Sequence, residues 1–333
     1  MKVCIYGAGA IGGFIGTRLA AREASEVSVV ARGATLKAIA AHGIRLRIEG
    51  RMLAAKVSAG EDPGAFGVQD LVIIAVKGPA LPEVAARIAP LLGPNTIVLP
   101  AMNGLPWWFL EELPGPCSGM RLESVDPGGA VSRAIPYHHV LGCVVHASAS
   151  VSEPGVIEHN KGHRLIIGEP SGRSTPRLAR VAALLSDAGL EVTPSSRIQY
   201  DIWYKLWGNL TMNPVSALTG ATADRVLDDP LVSRFCRAAM AEASAIGERI
   251  GCKVEETPEA RHVVTRKLGA FKTSMLQDAE SGKPLEIDAI VGAVKEIGEH
   301  VGVATPCIDA LFGLIRLYGE THGLYERPAT AAG

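Results

Sequence analysis

Four short apolar runs punctuate the first hundred residues: "KVCIYG" at 2–7, "EVSVVAR" at 26–32, "LVIIAV" at 71–76 and "TIVLPAMN" at 96–103. Each is rich in β-branched residues and apolar at consecutive positions, as in strands buried on both faces. Between them, residues 11–21 and "PALPEVAARIAPLL" at 79–92 follow a helical pattern. Strand–helix alternation of this kind predicts βαβ units and a parallel sheet. Two later runs, "VLGCVVHASASV" at 140–151 and "HRLIIGEP" at 163–170, predict further strands. From about residue 197 strand runs cease, and helical patterns follow one another to about 323. Pro230 after Asp228-Asp229, and Pro258 after Thr257, mark helix starts. The expected fold is α/β: an N-terminal Rossmann-type doubly wound sheet over 1–196, then an all-helical domain over 197–325. Residues 326–333 form an expected frayed tail. The boundary is placed in "EVTPSSR" at 191–197, and the Pro- and Gly-rich stretch 104–140 is an expected irregular excursion.

Composition agrees with this picture and excludes others. At 333 residues, two domains are the natural expectation, and 47% hydrophobic with 20% charged residues excludes a disordered chain. A net charge of −1 leaves no electrostatic footprint for nucleic acid or a membrane surface. The six cysteines form no CxxC pair, so neither a disulfide framework nor a metal site is expected. No apolar run reaches the roughly 18 residues of a membrane helix. Lys2, the apolar residues after it and "RLAA" loosely mimic a signal peptide, but glycines interrupt the apolar stretch; a cytoplasmic protein is expected.

Those glycines carry the first chemistry. Gly7-Ala8-Gly9-Ala10-Ile11-Gly12 is a G-x-G-x-x-G between a predicted strand and a predicted helix. Gly7 permits the tight turn, Gly9 lets a pyrophosphate approach the backbone, and Gly12 lets the helix pack closely on the strand. The free N–H groups of the helix start then face the phosphates. The second strand ends in Ala31-Arg32, where an NAD-preferring fold usually has Asp or Glu. Arg32 can pair with a 2′-phosphate, so NADP(H) is the expected cofactor. Lys77 and Asn103-Gly104 follow the third and fourth strands, at the sheet edge where such folds bind ligands.

The second signal lies in "IQYDIWYKLWGNLTMNPVSAL". Lys205, Asn209 and Asn213 recur every four residues, which keeps them on one helix face. Trp203, Leu206, Trp207, Leu210 and Met212 surround that stripe and predict burial, which leaves the polar groups in need of a ligand. Pro214 is expected to end or kink the helix just past Asn213. Further on, Ser274 and Glu286 stand twelve apart around the breaker Ser281-Gly282-Lys283-Pro284, with Glu286 expected in the first turn of a new helix.

Together these motifs resemble the ketopantoate reductases (2-dehydropantoate 2-reductases). The likeness is carried by "GAGAIGG", "AR", "VK" and "NG" after successive strands, "WYKLWGNLTMNP", and "SMLQD…LEID". It implies reduction of 2-dehydropantoate to pantoate with NADPH, on the route to pantothenate, with a small 2-oxo acid as substrate and room for a homodimer. It further implies Lys205 as general acid and Glu286 on the substrate hydroxyl or carbonyl oxygen. Asn209, Asn213 and Ser274 would hold the substrate, Asn103 would lie between nicotinamide and substrate, Lys77 near the cofactor, and Arg32 on the 2′-phosphate. Two other functions stay open: a same-fold reductase of a different 2-oxo acid, and a non-catalytic NADP(H) sensor. The sensor needs none of Lys205, Asn209, Ser274 and Glu286. Trp107 and Trp108, directly after the Asn-Gly, depart from the family pattern. They either line the substrate site and favour a bulkier 2-oxo acid, or pack in the core.

Overall fold

The computed structural model describes residues 1–22 and 25–327. They form two compact units. One comprises Met1–Met102 and Ala130–Asp201, and the other Asn103–Gly129 and the chain from Ile202 onward.

The first unit contains two five-stranded sheets. Its elements are β1 (Lys2–Tyr6), α1 (Ala10–Ala20), β2 (Glu26–Val30), α2 (Gly33–His42), β3 (Ile44–Ile48), β4 (Arg51–Ala55), β5 (Ser58–Gly60) and β6 (Leu71–Ile74). After these come α3 (Leu81–Arg87), β7 (Ile97–Pro100), α4 (Ala130–Ala134), β8 (Gly142–Glu153), β9 (Val156–Gly168), α5 (Pro176–Asp187) and β10 (Glu191–Ser195). The first sheet is parallel throughout, in the order β5-β2-β1-β6-β7. Its inner strands are buried on both faces, which is why they read as unbroken apolar runs. The strand order reverses between β1 and β6, and that switch point fixes where a ligand crevice opens.

The second sheet runs β10-β9-β3-β4, with β8 antiparallel to β9. Helix α1 packs against β1 and β2 of the first sheet and against β3, β8 and β9 of the second. A helix covered on both sides carries no polar face, and buried Gly13, Phe14, Ile15, Gly16 and Leu19 fit that position. A Cβ on Gly13 would lie 2.5 Å from Ile157 Cγ1, so β9 lies close against bare backbone.

Four strands lie outside the sequence expectation. The β3–β4 hairpin turns at Glu49-Gly50, both with positive φ, and alternates Ile44, Leu46 and Ile48 with Arg45 and Arg47. That period of two is a strand signal. The three-residue β5 is too short to carry one. Residues 191–195, expected as the interdomain boundary, form β10, parallel to β9. Pro194 is tolerated there because β10 is an edge strand.

The second unit is helical: most of α6 (Ile198–Thr219), then α7 (Ala223–Asp228), α8 (Pro230–Arg249), α9 (Pro258–Arg266), α10 (Ser274–Glu280), α11 (Ala293–His300) and α12 (Pro306–Thr321). A π-helical turn over Asp288–Gly292 leads into α11. Pro230 and Pro258 open α8 and α9, whose N-caps Asp229 and Thr257 accept backbone N–H groups of the first turn. Pro214 does not end α6, which runs on to Thr219. Beyond the proline, Val215, Ser216 and Ala217 are buried, and that packing outweighs the one missing backbone hydrogen bond. Trp207 Nε1 donates to Met240 O at 2.8 Å, tying α6 to α8. Of the stretch 104–140, expected as an irregular excursion, the part up to Gly129 packs within this unit. The Phe109 ring stacks on Trp203 at 6.1 Å, and the Glu296 carboxylate accepts from the backbone N–H of Glu123 at 2.7 Å and Ser124 at 2.9 Å. Of the expected tail, Arg327 pairs with Glu320, and residues 328–333 lie outside the described residues.

Candidate active site

The first unit presents an open pocket at the C-terminal edge of the parallel sheet, where the strand order reverses. Gly7, Ala8 and Gly9 from the β1–α1 loop line it, with Ala31 and Arg32 after β2 and Val76, Ala80 and Glu83 after β6. Each glycine of the motif has a distinct reason to be glycine. Gly7 has φ +101°, and a Cβ there would lie 2.7 Å from Val76 Cγ1. A Cβ on Gly12 would lie 1.9 Å from Gly7 O, which any side chain forbids. Around Gly9 nothing lies within 4 Å of a Cβ position, so the backbone faces open space. Gly9 is also the N-cap of α1, with no side chain capping the helix start. An uncapped helix N-terminus behind a bare loop suits a pyrophosphate, so these residues fit a dinucleotide. Burial raises the pKa of the Tyr6 phenol, which therefore lines the pocket as a neutral group.

Arg32 stands at the N-cap of α2, beside the same pocket. Its Nη1 donates to Glu83 Oε1 at 2.5 Å, and Arg87, one turn further along α3, also lines the wall. The sequence reading missed Glu83 and Arg87. The signal available was an acid and a base four apart in the first helix after a strand end. Lys77 follows the same strand but is not among the residues lining the pocket.

In the second unit, Lys205 and Asn103, 102 residues apart, come together: Lys205 Nζ donates to Asn103 Oδ1 at 2.9 Å. The backbone holds Asn103 in place. Gly104 has φ +79°, and a Cβ on it would fall 2.6 Å from Ala289 O. The next residue, Leu105, donates its N–H to that same oxygen at 2.8 Å. Only glycine permits this approach, and it docks the 103–105 segment against the π-helical turn. Three residues before Ala289 stands Glu286, 7% exposed. Glu286 precedes the helix rather than sitting in its first turn, because the helix begins only at residue 287.

Asn209 and Asn213 extend the Lys205 stripe along α6. Asn213 is 4% exposed, and its Nδ2 is buried without a hydrogen-bond partner. A buried donor of this kind is costly unless a ligand completes it. Ser274 is exposed in the first turn of α10, whose N-cap Thr273 accepts from Leu276 N–H at 3.2 Å. Trp107 and Trp108 are 3% and 1% exposed, and the Trp108 Nε1, like the Asn213 Nδ2, is buried without a hydrogen-bond partner. No group of three or more His, Cys, Asp or Glu able to hold a metal occurs among the described residues.

Comparison with known proteins bears on both units. The family model "Ketopantoate reductase PanE/ApbA" matches residues 3–172, and its C-terminal counterpart matches 197–319. A 2-dehydropantoate 2-reductase of Mesorhizobium japonicum is 43% identical over 326 residues, covering 98% of this chain and all of its own. A crystal structure from Ralstonia solanacearum MolK2, solved as a candidate ketopantoate reductase, superposes with a TM-score of 0.93 at 59% identity, covering 97% of this chain and 99% of its own. A 2-dehydropantoate 2-reductase from Geobacter metallireducens GS-15 superposes at 0.83 with 25% identity, covering 96% and 100%. With both halves matched in order by the family's models and with relatives this similar along nearly the whole chain, the protein belongs to the ketopantoate reductase family.

Proposed function

We propose that the protein reduces 2-dehydropantoate to pantoate with NADPH. The oxidoreductase class is that of its family, which is NAD(P)-dependent. The substrate and the use of NADPH are the finer part of the reading. The observation that carries it is the 2.9 Å hydrogen bond from Lys205 Nζ to Asn103 Oδ1. The amide oxygen accepts from the ammonium and so fixes its direction.

NADPH supplies the hydride when bound. As the substrate's carbonyl carbon accepts it, the carbonyl oxygen gains negative charge, and the Lys205 ammonium stabilises that charge and gives up one proton to it. The product is the 2-hydroxy acid, and Lys205 regains its proton from solvent. Glu286 accepts a hydrogen bond from the new hydroxyl. The Asn213 donor completes its hydrogen bond on the substrate, and Asn209 and Ser274 hold the carboxylate and hydroxyl. In the pocket of the first unit, Gly9 and the α1 N-terminus hold the pyrophosphate and Arg32 the 2′-phosphate, with Lys77 near the cofactor. Cysteines joined by no disulfide fit a reducing cytoplasm, which we take as its compartment.

A panel of 2-oxo acids assayed by loss of NADPH absorbance tests the reading, with 2-dehydropantoate expected to give the highest kcat/KM. Lys205→Ala should lower kcat by about 10²- to 10⁴-fold on that substrate. Unchanged turnover in this variant removes Lys205 from the mechanism, and a better substrate elsewhere in the panel replaces 2-dehydropantoate.

A further inference from the structure

The dinucleotide pocket contains a carboxylate that the reaction does not use. Glu83 sits in the first turn of α3, across the pocket from Arg32. Its Oε1 accepts from Arg32 Nη1 at 2.5 Å and lies 3.8 Å from Arg87 Nη1. An acid is therefore present where the second strand lacks one, delivered from the neighbouring helix. Both partners of the short pair are about half exposed, 56% for Arg32 and 46% for Glu83. An ion pair in such a setting is weakly held. A 2′-phosphate carries close to two negative charges near neutral pH, against one on a carboxylate, so it is the stronger partner for the same guanidinium.

We propose that Glu83 is a cofactor-selectivity residue: its carboxylate is the resident counter-ion of Arg32, and the 2′-phosphate of NADP(H) must displace it. Arg87, four residues on in the same helix, is placed to receive the displaced carboxylate. A ribose with a free 2′-hydroxyl leaves the Arg32–Glu83 pair intact. Binding of the phosphorylated cofactor thus exchanges one ion pair for another, and the preference for it is smaller than Arg32 alone would give. The inference rests on the dinucleotide reading of the pocket.

Calorimetric titration of the whole protein with 2′,5′-ADP and with 5′-ADP tests it without turnover. Glu83→Gln should tighten 2′,5′-ADP by about 3- to 10-fold, from relief of the exposed ion pair and of like-charge repulsion. The affinity for 5′-ADP should stay within about twofold. In an Arg32→Ala background the gain should disappear, because the two residues act through one contact. Unchanged or weaker 2′,5′-ADP binding in Glu83→Gln overturns the role of Glu83, as does equal tightening of both ligands. If neither ligand binds the unmodified protein, the dinucleotide reading itself fails and this inference falls with it.

Discussion

At the scale of single residues, Asn213 and the tryptophans show how burial assigns roles that identity leaves open. The four-residue spacing put Asn213 on the same face of α6 as Lys205, but the spacing alone fits a solvated helix face equally well. Burial to 4% exposure with an unpartnered Nδ2 argues for a ligand-directed group. Asn213→Ala removes no internal hydrogen bond of the free protein at that nitrogen. It should leave thermal stability nearly unchanged, while raising KM for the 2-oxo acid by about 10-fold or more if the amide meets a carboxylate. A drop in melting temperature without a change in KM would make Asn213 a packing residue. Trp107 and Trp108 are buried as deeply, at 3% and 1% exposure, and the Trp108 Nε1 likewise lacks a hydrogen-bond partner. Their rings add apolar surface to the interior, and relative kcat/KM of Trp107→Ala and Trp108→Ala over a size series of 2-oxo acids decides whether either also meets substrate.

At the scale of elements, the β1–α1 loop separates two kinds of glycine. Gly12→Ala drives a methyl group into Gly7 O and should destabilise the fold by about 1–3 kcal/mol or more. Gly9→Ala meets nothing within 4 Å and should leave the melting temperature close to that of the unmodified protein, while weakening dinucleotide binding. Thermal melts and cofactor titration of the two variants check this contrast. A second element, the π-helical turn, is clasped on either side of Glu286: Leu285 N–H donates to Leu324 O, and Tyr325 Oη donates to Asp288 Oδ1, both at 2.9 Å. Burial raises the Asp288 pKa to about 6, against the opposing hydrogen bond from Tyr325. The folded state therefore binds the extra proton between pH 4 and 6. This group's contribution to stability is full below about pH 4 and is lost as pH rises through 6. Melting temperature measured against pH should show that decline, and Asp288→Asn should flatten it.

At the scale of the whole molecule, no helix among the described residues is long and apolar enough to cross a membrane. The cysteines are dispersed through both units: five are buried, Cys307 is half-buried, and no disulfide joins them. Burial pushes the Cys4 and Cys252 thiols up to about 12 and the Cys236 thiol to about 11. Reactivity requires thiolate, so the native protein should react slowly with a thiol reagent at neutral pH, and all six groups should react after denaturation. Rapid reaction of several thiols in the native state would contradict this packing. The sequence made the parallel sheet legible because its central strands are buried on both faces and leave no polar position to blur the pattern. Most of the second sheet was harder to see. Strand β3 carries two half-buried arginines, β4 an exposed one and β10 a proline, so their apolar content is diluted.

The sequence by itself determined what local geometry enforces. A G-x-G-x-x-G between a strand and a helix needs glycine for reasons within a few residues, and a stripe of period four stays on one helix face at any orientation. The family was legible for the same reason, since its motifs are local. Only the tertiary structure decided the contacts between distant segments. Asn103 reaches Lys205 across 102 residues because Gly104 admits Ala289 against its bare backbone. Glu83 reaches Arg32 because the helices after β2 and β6 border one pocket at the edge of the sheet. Such pairings depend on strand order and on close approach of backbone, and neither is written in the spacing of residues along the chain.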